Sequence, residues 1–297
     1  MTKVNKLKMI RKTTLIAMAV AAVFATMPTQ AKNMPDSQFA FSWDGNEVLV
    51  NNQFSGATEN SFTKNDDGSF TFKLHNQKNE NPETGANGLL GNYYHLDSVG
   101  RYKVSEKGIN IKNSEFVGNS TSAKYVSSTI MLTAWGNIGM PALEHRFEGT
   151  TFKNNKTTVS GGAIAVIYES AGNVLSNLKI NNSSFEGNHA GKSGGAISLD
   201  FYDVEISNTE FKGNSSVESG GAINSHAKKL VLNDVVFTDN KSEENGGAIV
   251  LRETKPAMND GNGNYSNVHQ TIEAALNVVN HDLTYTGNKV TGDQAKE

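Results

Sequence analysis

The stretch FEGNHAGKSGGAI (residues 185–197) returns as FKGNSSVESGGAI (211–223) and FTDNKSEENGGAI (237–249), and is preceded by FKNNKTTVSGGAI (152–164). Each copy has a phenylalanine, an asparagine three residues on, a glycine pair starting nine residues on, and an isoleucine behind it. These residues are Phe152, Asn155, Gly161, Gly162 and Ile164; Phe185, Asn188, Gly194, Gly195 and Ile197; Phe211, Asn214, Gly220, Gly221 and Ile223; and Phe237, Asn240, Gly246, Gly247 and Ile249. Two partial copies flank the four. Phe116 and Asn119 keep the first half, with Tyr125 where a glycine would stand, and Tyr285 and Asn288 keep it again near the end. The aromatic positions are 36, 33, 26, 26 and 48 residues apart. A unit near 26 residues, lengthened by insertions, accounts for the first four intervals. The last fits either two units, one of them degenerate, or one unit interrupted at residues 252–275.

Upstream of the aromatic position the apolar residues alternate. Ile109 and Ile111 precede Phe116, Leu178 and Ile180 precede Phe185, Val204 and Ile206 precede Phe211, and Leu230 and Leu232 precede Phe237. A period of two is that of a strand with one buried face. A second short strand follows each glycine pair. Short strands, tight turns and a fixed repeat predict an all-β solenoid, a right-handed parallel β-helix with one coil per repeat. Equivalent residues then stack at ~4.8 Å from coil to coil. Phenylalanine forms an inward aromatic column. Asparagine sits at a turn, where it tolerates left-handed φ and can bond the asparagines above and below. The glycine pair permits positive φ and a close backbone approach at a corner. A leucine-rich solenoid lacks its dense leucine pattern here, and a β-sandwich would not need one residue at one offset four times.

The paired Phe-x-x-Asn and Gly-Gly-Ala-Ile motifs resemble the repeats of the chlamydial polymorphic outer-membrane proteins and, more broadly, bacterial autotransporter passengers. The resemblance covers residues 152–249 closely, 109–151 and 276–290 weakly, and 32–100 not at all. It implies a β-helical passenger acting at the cell surface, commonly in adhesion, and exported through a C-terminal membrane β-barrel. Barrel strands of about ten alternating residues are not found before Glu297. The expectation is therefore a truncated relative, a gene fragment or a small secreted β-helix, with outer-membrane association only through a missing or separate barrel.

Residues 1–31 read as a secretory signal peptide: Lys3, Lys6, Lys8, Arg11 and Lys12, then an apolar run from Leu15 to Met27, then Thr29-Gln30-Ala31. Its removal leaves 22 Lys and Arg against 30 Asp and Glu. An acidic exported chain is a poor partner for nucleic acid. With no cysteine among 297 residues, disulfides, thiolate metal sites and cysteine nucleophiles are excluded. Residues 32–100, with alternating segments at Phe39–Trp43 and Ser69–Phe72, read as an N-terminal β-cap or a small recognition module. Residues 101–297 read as β-helix repeats, incomplete at the C-terminal end.

Few residues offer chemistry. The sixth position after the first glycine is Asp200, His226 and Arg252 in successive repeats, an outward column that could act on a bound glycan. A solvated ladder of ion pairs explains the same column, and a glycosidase would need two carboxylates at a set separation. Asp260-Gly-Asn262-Gly-Asn264 has the early spacing of a calcium loop, but Tyr265 and Thr271 stand where glycine and glutamate belong. No metal site, cofactor, phosphate loop or nucleophile elbow is predicted. The insertions at 124–146, 168–176 and 252–275 break the repeat and are the contact candidates. The reading is a non-enzymatic exported β-helix that contacts a host or neighbouring-cell surface protein or glycan. The alternatives are a carbohydrate-active β-helix (lyase or hydrolase) and a fragment without independent function.

Overall fold

The computed structural model describes residues 39–43, 46–50, 60–83, 86–95, 102–105, 107–133, 143–167, 177–200, 203–227, 229–251, 258–259, 265–266, 277–281 and 283–291. The signal segment 1–31, Arg252 and Asp260–Asn264 lie outside them. The described residues form strands and turns only, and the chain is a parallel β-helix.

Each coil contributes to three parallel sheets. The Phe sheet holds the upstream alternating strand and the strand around the aromatic residue, fused into single strands at Asp203–Lys212 and Lys229–Thr238. A short sheet of 7 strands follows the motif asparagine, from Lys78–Glu80 to Lys289–Val290. The Ile sheet follows the glycine pair, at Ile164–Ile167, Ile197–Asp200, Ile223–His226 and Ile249–Leu251.

Register follows the repeat residue for residue. Phe116 pairs with Phe152, Phe152 with Phe185, Phe185 with Phe211, Phe211 with Phe237, and Phe237 with Tyr285. Ile164, Ile197, Ile223 and Ile249 align in the same way. A one-residue slip would turn every buried face outward, so the alternating pattern fixes this register. The interval of 48 residues is resolved as one coil: Lys229–Asn233 pairs directly with Asn277–His281.

The helix also runs one coil further upstream than the border at residue 101 drawn from sequence. Phe70–His75 pairs in parallel with the next coil, placing Leu74 beside Phe116. Lys78–Glu80 and Ala86–Gly91 complete that coil against Ser120–Ser122 and Val126–Met131. Above it Phe39–Ser42 still pairs in parallel with Gly88–Gly91, and antiparallel pairing appears between Ser61–Lys64 and Phe70–Lys73 and between Phe41–Trp43 and Val48–Val50. Trp43 and Phe41 close the end, packing edge-on against Phe70 and Phe72 with centroids 5.2 and 5.8 Å apart. These strands cover the first coil at Ala86–Gly91 and Phe70–Lys73, whereas Lys78–Glu80 is the terminal strand of its sheet among the described residues.

One inward position departs from the pattern. The alternating pair before Phe152 is His145 and Phe147, and His145 aligns with Leu178. His145 is fully buried, and its Nδ1 accepts the backbone N–H of Ile109 at 3.3 Å. Burial pushes its pKa down from 6.5 to about 4. Between those values the unfolded chain binds a proton that the folded chain refuses. Its contribution is therefore intact above pH 6.5 and falls as pH drops toward 4, by about 3 kcal/mol in all. Urea midpoints measured at pH 7 and pH 4.5 should fall less in His145→Leu than in the parent. Carboxylates titrate alike in both proteins and cancel in the comparison.

Candidate functional site

The repeated residues build one continuous ladder. The rings of Phe116, Phe152, Phe185, Phe211, Phe237 and Tyr285 stack face to face, with centroids 4.7–5.1 Å apart and planes within 8°. All five phenylalanines are fully buried, while Tyr285, last in the column, is 51% exposed. The five phenylalanine rings are core and are not available to a ligand.

Beside them the asparagine amides form a second column. Nδ2 of Asn119, Asn155, Asn188, Asn214 and Asn240 donates to Oδ1 of the next asparagine at 2.9–3.0 Å, ending on Asn288. The same Nδ2 donates backward to the carbonyl of the preceding coil: Asn214 to Phe185 O and Asn240 to Phe211 O, each at 2.9 Å. From Asn155 to Asn288 each Oδ1 also accepts the backbone N–H of the preceding asparagine, as Asn214 does from Asn188 at 3.0 Å. The amides inside the column are thereby saturated by the protein's own groups.

The turn role expected of this asparagine falls one residue earlier. Left-handed φ, 54–66°, belongs to Asn76, Gly118, Asn154, Gly187, Gly213, Asp239 and Gly287. The motif asparagine keeps ordinary φ because its backbone N–H and amide are committed across the coils. The glycine pair divides its two roles. Gly161, Gly194, Gly220 and Gly246 have φ of 58–71°. A Cβ on Gly195 would overlap the carbonyl oxygen of Gly221, and one on Gly221 that of Gly247. In the coil of Phe116, which lacks the pair, Ser128 Oγ and Thr129 Oγ1 donate to the carbonyls of Gly161 and Gly162.

The outward column singled out from sequence is brought together in part. Asp200 and His226 are register partners on adjacent strands, and His226 is half-buried. Elsewhere the outer faces carry ion pairs between coils. Lys153 meets Glu186 at 2.8 Å, and Lys179 meets Glu144 at 2.9 Å. The Lys179 ammonium, with Arg146, holds the Glu144 carboxyl below the usual carboxylate range. His189 is shifted downward by partial burial and by Lys156 and Lys241 of the same face. No group of three or more His, Asp or Glu side chains suited to a metal occurs among the described residues.

The insertions share one address. The Ile-sheet strand ends at Gly91, Thr133, Ile167 and Leu251, and the next coil begins at Asn110, Glu144, Asn177 and Asn277. Every long excursion leaves and rejoins at this corner, whereas two coils close it with residues 201–202 and 227–228 alone. The first insertion read from sequence, 124–146, was drawn too wide. Val126–Thr133 and Glu144–Glu148 are strands of the coil, which leaves 134–143 outside it. The excursion after Leu251 contains an antiparallel pair, Met258–Asn259 with Tyr265–Ser266.

Fold and ladder together define a parallel β-helix whose coils are copies of one repeat. The Chlamydia polymorphic membrane protein repeat matches residues 149–166, 182–200, 208–226 and 234–251, so this chain carries four copies of that repeat. Each matched segment spans the Phe strand, the asparagine, the glycine pair and most or all of the Ile strand. No curated protein and no solved structure matches the chain.

Proposed function

We propose that this chain is an exported β-helix, displayed at the bacterial surface or outer membrane in the manner of an autotransporter passenger. It adheres to a surface protein or glycan of a host or neighbouring cell and catalyses no reaction. The observation that carries this reading is the common corner of the insertions. A rigid ladder holds the coil constant, while segments of different length and sequence are offered along one edge. The repeat, described as belonging to Chlamydia membrane proteins, supports a surface location. The stacked phenylalanines and asparagines of the repeat are occupied in holding coils together, which favours the variable segments for this contact.

The test is replacement of 134–142, 168–176 and 252–276, singly and together, by two-residue links like those at 201–202 and 227–228. Binding of the purified chain to host cells should fall at least about tenfold in the triple replacement. The thermal midpoint should be kept. Binding at the parental level with all three segments removed contradicts the proposal.

A further inference from the structure

We infer that the groove beside the Asn182–Asn208–Asp234 corner is a binding site for a neutral oligosaccharide. The groove has a volume of about 400 Å³ and crosses four successive coils on the outside of the Phe sheet. Thr151, Ser184 and Glu210 line it from register-paired strand positions. Asn182, Asn208 and Asp234 line it from the left-handed corner, with φ of 48–51°. In the coil above, Gly149 occupies that corner position, where a Cβ would overlap Asn113 Oδ1.

The lining selects the ligand. Hydroxyls and amides both donate and accept, whereas the carboxylates of Glu210 and Asp234 only accept. Lys and Arg are absent from the lining, so an anion would meet two carboxylates and no counter-charge. Val236 is the one sizeable apolar side chain, and an apolar ligand would find little to bury against. A chain of uncharged hydroxyl-bearing units satisfies what remains. The coils repeat similar polar rows at ~4.8 Å steps, which suits a ligand that is itself a repeat lying along the helix axis. The Asn208 amide already donates to Asn181 Oδ1 at 3.0 Å, and Ser184 Oγ makes a long bond of 3.3 Å to Thr151 Oγ1. The side chains of Asn182, Glu210 and Asp234 hold no hydrogen bond or ion pair among the described residues.

This site goes beyond the adhesion reading and does not rest on it. It lies at a different corner from the insertions, so their removal leaves it intact and the two experiments can fail separately. The purified chain is titrated calorimetrically with β-1,4-linked tetrasaccharides of glucose, mannose and N-acetylglucosamine, and with a heparin tetrasaccharide. One of the neutral probes should bind with a Kd below about 1 mM, and heparin at least about tenfold more weakly. Ser184→Trp, which fills the groove, and Glu210→Ala should each weaken that binding at least about tenfold with an unchanged urea midpoint. Absence of binding by every neutral probe, preference for heparin, or binding unaffected by both variants would overturn the assignment.

Discussion

Asn214→Leu should destabilise the chain by about 3–6 kcal/mol, although it replaces a polar residue with an apolar one inside a buried column. The side chain lost is the acceptor for both the backbone N–H and the Nδ2 of Asn188, and the donor to Phe185 O. Leucine offers none of these bonds, and water cannot replace them, because Asn188 and Asn214 are fully buried. Each polar group left unpaired in such a site costs about 1–3 kcal/mol. Asn233→Leu, on the outer face of the same sheet, is the control. It should change stability by no more than about 0.5 kcal/mol. A urea midpoint for Asn214→Leu equal to that of the control would mean that the amide column holds nothing together.

Phe211→Ala should cost about 3–5 kcal/mol. The ring is stacked on both faces, 4.7 Å from Phe185 and 5.0 Å from Phe237. Its removal forfeits burial of a large apolar side chain and leaves a cavity that the coils above and below cannot close without giving up their ladder. Tyr285→Ala removes a ring that, among the described residues, stacks only on Phe237 and is half exposed. It should cost distinctly less. Urea denaturation of the two variants gives the ordering, and equal losses would contradict a continuous buried stack.

Where identical residues recur at one offset, the sequence was enough. Phe, Asn, the glycine pair and Ile each became a column of the β-helix, because stacking at the coil repeat rewards identity between neighbours. Where the chemistry is met by another residue, the pattern was hidden. The first coil uses Leu74 at the aromatic position and Gln77 at the asparagine position. Gln77 keeps only the backbone half of the ladder, donating its N–H to Asn119 Oδ1 at 2.9 Å. Its longer side chain turns back to the carbonyl of His75. The three-residue spacing from Leu74 to Gln77, with Phe70 and Phe72 alternating before it, was the available signal.

The left-handed corner was misassigned by one residue because asparagine serves both roles in Asn154-Asn155. The clue lay in Gly118, Gly187, Gly213 and Gly287, each of which immediately precedes a motif asparagine. His145 was missed because it breaks the apolar alternation it belongs to. The shared corner of the insertions and the groove at Asn182 could not be read at all. Both depend on which strand ends lie side by side, and the unequal intervals between repeats conceal that until the register is known.

The central claim is that residues of successive repeats are stacked neighbours, and a chain without cysteine allows a direct test by engineered disulfides. Lys179 and Glu205 are register partners on adjacent coils, whereas Lys179 and Val231 are two coils apart. Adjacent parallel strands place Cα atoms ~4.8 Å apart, within the span a disulfide bridges, and two coils double that distance beyond it. Under mild oxidation Lys179→Cys/Glu205→Cys should cross-link nearly completely, and Lys179→Cys/Val231→Cys should remain reduced. Failure of the first pair, or equal cross-linking of both, would contradict the stacked register on which the rest depends.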